Sequence, residues 1–226
     1  MKNSISPVFM FFGILFTACL LISNILAIKI ITIGTFAVPA GVIIFPISYI
    51  VNDVIVEVWG YKKARFVIWV GFGMMVLSNV MYQLAIAIPA APFWTNQTAF
   101  ASVLENSPRI GLASVLAYLS GSFANAFVMS KMKVMSNGSN FSARAILSTI
   151  IGEGFDSIIF IFVAFAGIIP LKELLLMAAA QTFVKTAYEI LILPATIYIV
   201  NRIKKVENEN VFDRDISYNP FKLKEV

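Results

Sequence analysis

The sequence predicts an all-α, multi-pass membrane protein with about six transmembrane helices and both termini on the cytoplasmic side. Of its 226 residues, 59% are hydrophobic and 13% are charged, and the mean hydropathy is +0.87. Soluble domains carry about 25% charged residues, so most of this chain must lie in a bilayer. The net charge of +5 reflects membrane orientation. We expect no nucleic-acid partner, because such a partner needs a basic patch on a solvated surface.

Six segments are long and apolar enough for a membrane helix, which needs about 20 mostly apolar residues. They are Pro7–Ile28, Phe36–Val58, Phe66–Ile88, Ile110–Met129, Ala145–Ile168 and Leu174–Val200. The start of the second is the least defined, because Ile30–Val38 fits either part of a helix or a re-entrant loop. We expect residues 1–205 to form one six-helix transmembrane domain. Residues 206–226 are polar and mixed in charge, which predicts a poorly ordered cytoplasmic tail.

Basic residues determine the predicted orientation. If both termini are inside, 13 of the 17 lysines and arginines fall on the cytoplasmic side and three on the outer side, which is a strong positive-inside bias. The cytoplasmic ones are Lys2, Lys62, Lys63, Arg65, Lys131, Lys133, Arg144, Arg202, Lys204, Lys205, Arg214, Lys222 and Lys224. The outer ones are Lys29, Arg109 and Lys172, and Lys185 lies inside the last span.

Several classes of site have no residues to support them. The chain has no histidine and a single cysteine, Cys19, which excludes a histidine metal site and an internal disulfide. The phosphate-binding loop of ATPases and the zinc-protease and serine-hydrolase motifs are also absent from the sequence. We therefore expect no metal, no cofactor and no enzymatic activity.

Charged and polar side chains recur inside the predicted spans. Tyr49, Asp53 and Glu57 share one helical face at i, i+4 and i+8. An ionised residue at the centre of a membrane helix costs about 2.5–3.5 kcal/mol, so the deepest four (Glu153, Asp156, Lys185 and Glu189) together cost on the order of 10 kcal/mol. Mutual pairing, a water-filled cavity or a bound ligand must offset this cost. Gly152 and Gly154 flank Glu153 and allow another helix or a ligand to approach closely.

Structural roles for the same residues remain open. The alternatives are an ion pair between Lys185 and Glu189, pairing of Asp53 or Glu57 with Lys62, Lys63 or Arg65 near the inner interface, and interhelical hydrogen bonds by Asn79, Gln83 and Asn125. The case for a structural role is weakest for Glu153 and Asp156, because they have no basic neighbour in sequence.

The segment that begins at Phe45 resembles the signature of the queuosine precursor transporters, within the vitamin uptake transporter group. The residues that carry the resemblance are Phe45-Pro46, Tyr49, Asn52-Asp53, Glu57-Val58-Trp59-Gly60 and Ala64-Arg65, followed by Gly152, Asp156-Ser157, Phe160, Gln181, Lys185, Glu189 and Pro194. The resemblance extends from about Ser23 to Arg202. It implies an importer of the bacterial inner membrane whose cargo is a 7-deazaguanine base for queuosine in tRNA: the cyano precursor, the aminomethyl precursor or queuine.

The chemistry of such a base is compatible with buried carboxylates. A deazaguanine presents an N–H and an NH₂ side by side, and one carboxylate accepts both, while aromatic side chains stack on the ring. We hypothesise that Glu153 or Asp156 holds this edge near the membrane midplane and that Lys185 balances charge or binds the carbonyl. The candidate stacking residues are Tyr49, Phe155 and Tyr188.

The full set of predicted substrate-binding residues is larger. It consists of Tyr49, Asp53, Asn79, Gln83, Asn125, Glu153, Phe155, Asp156, Gln181, Lys185, Tyr188 and Glu189, with Pro46, Glu57 and Arg65 at a gate or helix interface. Asp53 also fits a role in lining or gating the inner end.

Three rival functions are weighed against transport by the chain alone. One is the substrate-binding subunit of an ATP-driven vitamin uptake complex. Another is an intramembrane aspartyl protease, although Gly152–Asp156 carries one residue too many for the usual pattern and one residue rotates a helix by about 100°. The third is a passive channel. The sequence leaves open a homodimer, the preferred precursor, the energy source and the acid that contacts the substrate.

Overall fold

The structure, a computed structural model, describes residues 6–33, 36–105 and 108–222. Its helices are α1 (Pro7–Leu26), α2 (Phe45–Ala87), α3 (Gln97–Leu104), α4 (Pro108–Met135), α5 (Phe141–Phe165) and α6 (Leu171–Glu207). Five helical segments are long and apolar enough to cross a membrane. The predicted all-α, multi-pass fold is confirmed.

A short hairpin precedes α2, where the sequence analysis placed part of the second span. Strands β1 (Ile30–Ile33) and β2 (Phe36–Pro39) pair antiparallel, and a 3₁₀ turn over Ala40–Ile43 follows. The predicted span Phe36–Val58 therefore begins too early, because Phe36–Pro39 is a strand and α2 begins at Phe45. The β-branched residues of β1 favour an extended chain, and Pro46 suits the first turn of a helix, where no N–H partner is lost.

The chain reverses direction at Gly60 inside α2. Gly60 has φ +84° and ψ 171°, a conformation that glycine adopts without a steric penalty. The Trp59 ring packs 5.3 Å from the ring of Phe9 near the start of α1, whereas Gly71 approaches Leu20 near the end of α1. We call the segments α2a (residues 45–59) and α2b (residues 61–87). Within the described residues, α2 therefore runs along α1 twice, once in each direction.

The first half of α2 runs back along α1. The Ser23 hydroxyl, near the end of α1, donates to the Gly41 carbonyl just before α2a, at 3.3 Å, while Trp59 at the other end of α2a lies near the start of α1. The segment α2a is about 22 Å long at 1.5 Å per residue, and nearly all of its residues are buried. It therefore forms the centre of the bundle.

Glycines allow α4 and α5 to pack closely beside α2a. A Cβ atom on Gly152 would lie 2.6 Å from Cβ of Asn125 and 2.9 Å from the Gly121 carbonyl oxygen. Next to this contact, the Asn52 amide of α2a donates to the Asn125 side-chain oxygen of α4, at 2.7 Å. The expected close approach at Gly152 is thus a helix–helix contact, whereas a Cβ on Gly154 would meet nothing within 4 Å.

The tail that follows α6 returns to the basic end of the bundle. The Val211 N–H donates to the Val58 carbonyl at 3.1 Å, and Lys133 Nζ donates to the Val211 carbonyl at 2.7 Å. Residues 209–222 lie against α2 and α4 in the structure, and the predicted poor order of the tail stays a prediction. The predicted cytoplasmic residues Lys2 and Lys224 lie outside the described residues.

Candidate functional site

A cavity of about 620 Å³ lies between the helices. Its wall includes residues of α1, α2, α4, α5 and α6 and of the segment between α1 and α2. Ile28 and Glu105 line it at the end of the bundle opposite to the tail, and Asp156 and Lys185 line it at mid-helix. In the orientation that the positive-inside bias predicts, the cavity extends from the outer side to the middle of the membrane.

One cation and two carboxylates meet at the inner end of this cavity. Lys185 Nζ of α6 lies 2.7 Å from Asp156 Oδ2 and 2.7 Å from Glu153 Oε2 of α5. The same ammonium group lies 4.2 Å from the centre of the Phe45 ring, in a cation–π contact. Lys185 therefore offsets the cost of burying the two carboxylates of α5 in the membrane.

The two acids of α5 have different access to the cavity. Asp156 is on the cavity wall together with Gln181 and Lys185. Glu153 has no exposed surface and does not line the cavity, and it contacts Lys185. Four aromatic side chains also line the cavity, those of Phe45, Tyr118, Phe160 and Phe165.

The other predicted substrate-binding residues lie elsewhere. Tyr49, Asp53, Asn125, Glu153 and Glu189 are buried among the helices away from the cavity wall. Phe155 is 52% exposed on the outside of the bundle. The cavity wall also does not include Asn79, Gln83 or Tyr188, and Gln83 is exposed.

Two of the alternative pairings from the sequence differ from the observed contacts. Lys185 pairs with Glu153 and Asp156 rather than with Glu189. Glu57 pairs with cations of other helices rather than with the basic residues that follow it in sequence. Helical spacing within one helix does not reveal which neighbouring helix supplies the partner.

Glu57 is the centre of a buried ionic cluster at the inner end of α2a. Its carboxylate accepts two hydrogen bonds from Arg144, at 2.5 and 3.2 Å, and one from Lys204 at 2.5 Å. Lys133 Nζ lies 3.9 Å from Glu57 Oε1 and donates to the Glu57 carbonyl oxygen. We call Glu57, Lys133, Arg144 and Lys204 the inner cluster. It joins α2, α4, α5 and α6 on the side opposite to the cavity.

The tail adds a second layer at the inner end. Asp213 Oδ2 accepts hydrogen bonds from the Tyr61 N–H at 2.8 Å and from the Ser130 hydroxyl at 2.6 Å. Arg65 is fully buried and donates to the carbonyls of Ser217 and Asn219. Arg65 thus holds the tail, as a residue of a helix interface would, and Pro46 is buried in the first turn of α2a.

Tyr218 also belongs to this layer, and its side chain is partly buried. Its hydroxyl lies 3.0 Å from the hydroxyl of Ser130. Burial raises the pKa of the Tyr218 phenol, and the hydrogen bond with Ser130 opposes that rise. The phenol therefore stays protonated and able to donate at neutral pH.

Sequence reasoning missed several residues of these two sites. Phe45 and Phe160 belong to the motif but not to the predicted binding set, although both line the cavity, as do Tyr118 and Phe165. Lys133, Arg144 and Lys204 contribute only to the predicted orientation, although they surround Glu57. A signal was available, because a buried Glu57 requires a buried cation. In the part of the chain that the structure describes, no group of three or more acidic or sulfur side chains is arranged to hold a metal ion.

Comparison with known proteins places this architecture among membrane transporters. The model of a family described as "Putative vitamin uptake transporter" matches residues 39–199. A curated protein of Bacillus subtilis (strain 168), named "Probable queuosine precursor transporter", is 25% identical over 173 residues, which is 76% of each chain. No solved structure matches the chain. The family match includes α2, α3, α4 and α5 and most of α6. It therefore covers Asp156 and Lys185 on the cavity wall and Glu57, Lys133 and Arg144 of the inner cluster, but not Lys204 or the α1 part of the wall.

Proposed function

Because the chain belongs to the vitamin uptake transporter family, we propose that it carries queuosine precursors, as 7-deazaguanine bases, across a bacterial inner membrane into the cytoplasm. The chain is a multi-pass membrane protein, and its similarity to a probable queuosine precursor transporter supports this class of cargo. The observation that carries the proposal is the cavity with Asp156 and Lys185 side by side at its inner end. Its volume of about 620 Å³ is within the usual range for small-ligand sites.

The charged pair matches the edge of a deazaguanine. The base presents two donors, the ring N–H and the exocyclic NH₂, next to a carbonyl acceptor. The Asp156 carboxylate accepts from the two donors, and Lys185 Nζ, 2.7 Å from Asp156 Oδ2, donates to the carbonyl. Such charge-assisted, paired hydrogen bonds are stronger than neutral ones. The amide of Gln181 lies on the same wall and supplies a further donor and acceptor.

Aromatic rings provide the apolar part of the site. Phe45 and Phe160 line the cavity, and a planar base stacks well on such rings. These two residues replace Tyr49, Phe155 and Tyr188 as the proposed stacking partners, because Phe155 faces outward and the other two lie off the cavity wall. Glu153 then acts through Lys185 and does not touch the base.

The closed inner end is consistent with one state of an alternating-access cycle. The cavity ends at Asp156 and Lys185, and the inner cluster and the tail lie between this level and the basic end of the bundle. Import requires the inner cluster to separate and the outer mouth to close. The family description favours transport over the protease alternative, which needs a peptide to reach the acids.

The proposal is tested in a bacterium that neither makes deazaguanine precursors nor has its own importer. The chain is expressed alone, and the cyano precursor, the aminomethyl precursor or queuine is supplied at low concentration, with the host's later enzymes matched to each compound. We expect queuosine in tRNA with at least one compound. The matched control is Glu173→Gln, which neutralises an exposed carboxylate at the start of α6 and leaves import unchanged.

Absence of queuosine with all three compounds, despite normal membrane expression, would refute import of these bases by the chain alone. If co-expression of an ATPase complex then restored queuosine, the chain would be a substrate-binding subunit, which is the alternative that the sequence leaves open.

A further inference from the structure

The carboxyl groups buried among the membrane-spanning helices fall into two classes. They belong to Asp53, Glu57, Glu153, Asp156 and Glu189. Three of them have a cation at ion-pair distance. For Glu57 the cations are Arg144 and two lysines, and for Glu153 and Asp156 the cation is Lys185. Within the described parts of the chain, Asp53 and Glu189 have no such cation. They are nevertheless 1% and 3% exposed.

These two unpaired carboxyl groups lie next to each other. Asp53 of α2a and Glu189 of α6 interact across the helix interface, and the Thr149 hydroxyl of α5 lies beside Glu189. Asp53 Oδ2, Glu189 Oε2 and the Thr149 oxygen are buried and have no hydrogen-bond partner among the described residues. The Ser148 hydroxyl is 3.4 Å from the other oxygen, Asp53 Oδ1. Two acceptors therefore face each other and lack a donor between them.

Electrostatics requires this pair to hold a proton. Two carboxylates that share one buried site cannot both stay ionised, because their repulsion adds to the cost of burial. A carboxyl group that carries a proton becomes a donor and forms the missing hydrogen bond to the other. The pair is thus satisfied with one proton and is strongly disfavoured with none.

The surrounding residues favour a proton over a metal cation. The titratable or charged groups that face Asp53 are Glu57 on its own helix and Glu189 on α6, and the facing groups of α4 and α5 are the neutral Asn125 and Ser148. In the described part of the chain, no group of three or more acidic or sulfur side chains is arranged to hold a metal ion. A proton needs only the two facing oxygens.

The pair lies between the cavity and the inner cluster. Asp53 is one helical turn from Glu57 and one turn from Tyr49 along α2a. The Tyr49 hydroxyl is buried and has no partner among the described residues, and it and the Asp156 side chain both pack against Gly121. A protonatable group thus connects Asp156 on the cavity wall with Asp53. Neither Asp53 nor Glu189 lines the cavity.

We propose that Asp53 and Glu189 form a proton-binding site that couples import to proton entry, an inference that rests on the proposed function. The pair binds a proton taken up from the outer side while the cavity is open there. It releases this proton to the cytoplasm when the inner cluster separates. Charge and atoms balance, because one proton enters with the base and no bond of the base changes.

The test uses the full chain, purified and reconstituted in liposomes that contain a pH-sensitive dye, with the precursor that supports queuosine formation in cells. We expect addition of the base to acidify the lumen of wild-type liposomes. For one proton per base, an inward pH gradient of one unit supports about tenfold accumulation. Sodium gradients at constant pH are expected to have no effect. If wild-type liposomes take up the base without proton movement, or only with a sodium gradient, the inference is overturned while the proposed function stands.

Variants then locate the proton. Asp53→Asn and Glu189→Gln are expected to lose accumulation driven by the pH gradient but to keep exchange of labelled for unlabelled base, which needs no net proton movement. Preserved exchange also shows that each variant is folded. For a variant that fails to fold, Asp53→Glu or Glu189→Asp retains the carboxyl group and is expected to retain coupling. Full coupling in both neutral variants would place the proton elsewhere and overturn the assignment.

Failure of the two proposals is distinguishable. A wild-type chain that moves no deazaguanine in cells or liposomes contradicts the proposed function. A chain that moves the base without protons contradicts only the coupling site.

Discussion

Arg144 of α5 binds both carboxylate oxygens of Glu57 of α2, at 2.5 and 3.2 Å, although 87 residues separate the two in sequence. Both side chains are 1% exposed. The pair lies at the inner end of the helices whose middle sections bear Asp53 and Asp156. It therefore connects the gate proposed at the inner end with the helices that form the proposed binding site.

Neutralising Glu57 should destabilise the inner cluster. In Glu57→Gln, Arg144 and Lys204 lose their buried counter-ion, and breaking a buried ion pair costs about 3–5 kcal/mol. We expect a clear drop in the thermal unfolding midpoint of the purified protein in detergent. Glu173→Gln, which removes an exposed carboxylate, is the matched control. Equal midpoints for the two variants would show that the inner cluster does not hold the helices together.

Removing Lys185 alone should destabilise the protein more than removing Lys185 together with one of its two acids. Lys185→Met leaves Glu153 and Asp156 as two adjacent buried carboxylates, which predicts poor expression and a low unfolding midpoint. Adding Glu153→Gln removes one of the two charges and is expected to restore part of the loss. The measurement is fluorescence-detected size-exclusion chromatography with thermal challenge. A double variant no more stable than Lys185→Met would contradict the ionic triad.

The packing of α4 on α5 should depend on Gly152 and not on Gly154. In Gly152→Ala the new methyl group lies 2.6 Å from Cβ of Asn125, so α4 and α5 must separate, and overpacking costs about 1–3 kcal/mol. In Gly154→Ala the methyl group meets nothing within 4 Å, and replacing a mid-helix glycine stabilises by about 0.5–1 kcal/mol. Opposite shifts of the unfolding midpoint are therefore expected. Shifts of the same sign and size would contradict this helix contact.

The membrane segments could be predicted largely from composition and charge, because apolar length and positive-inside bias depend on the bilayer and not on tertiary contacts. The start of α2 could not be predicted, because Ile30–Pro39 is as apolar as a membrane helix but forms a hairpin. Gly60 lies between the second and third predicted spans, but its φ of +84° follows from the packing of α2a and α2b on α1.

The candidate site was predictable by residue type and less so by ion-pair partner. The cost of burial identified the acids, and Asp156, Gln181 and Lys185 do line the cavity. The partners were not predictable, because Lys185 joins α6 to α5 and Lys204 joins α6 to α2, and spacing within one helix contains no information about its neighbours. Phe155, next to Asp156 in sequence, faces away from the cavity, since i and i+1 positions of a helix face different directions.

Docking of the tail should depend on Asp213. Its carboxylate accepts hydrogen bonds from the Tyr61 N–H and the Ser130 hydroxyl, and hydrogen bonds to a charged group contribute about 1.5–3 kcal/mol. We expect Asp213→Asn to increase hydrogen exchange in residues 209–222 and at the start of α2b. Asp215→Asn is the control, because Asp215 is exposed and asparagine tolerates its positive φ of 58°. Equal exchange in both variants would show that the tail is held by other contacts.

Direct binding of a labelled deazaguanine to the purified chain tests the central claim, with Asp156→Asn beside wild type and Glu173→Gln. Loss of a charge-assisted hydrogen bond costs about 1.5–3 kcal/mol, which weakens binding by about 10- to 150-fold. We therefore predict saturable binding to wild type and to Glu173→Gln, and an affinity at least tenfold lower for Asp156→Asn. Wild-type affinity in a folded Asp156→Asn variant would contradict the placement of the base in this cavity.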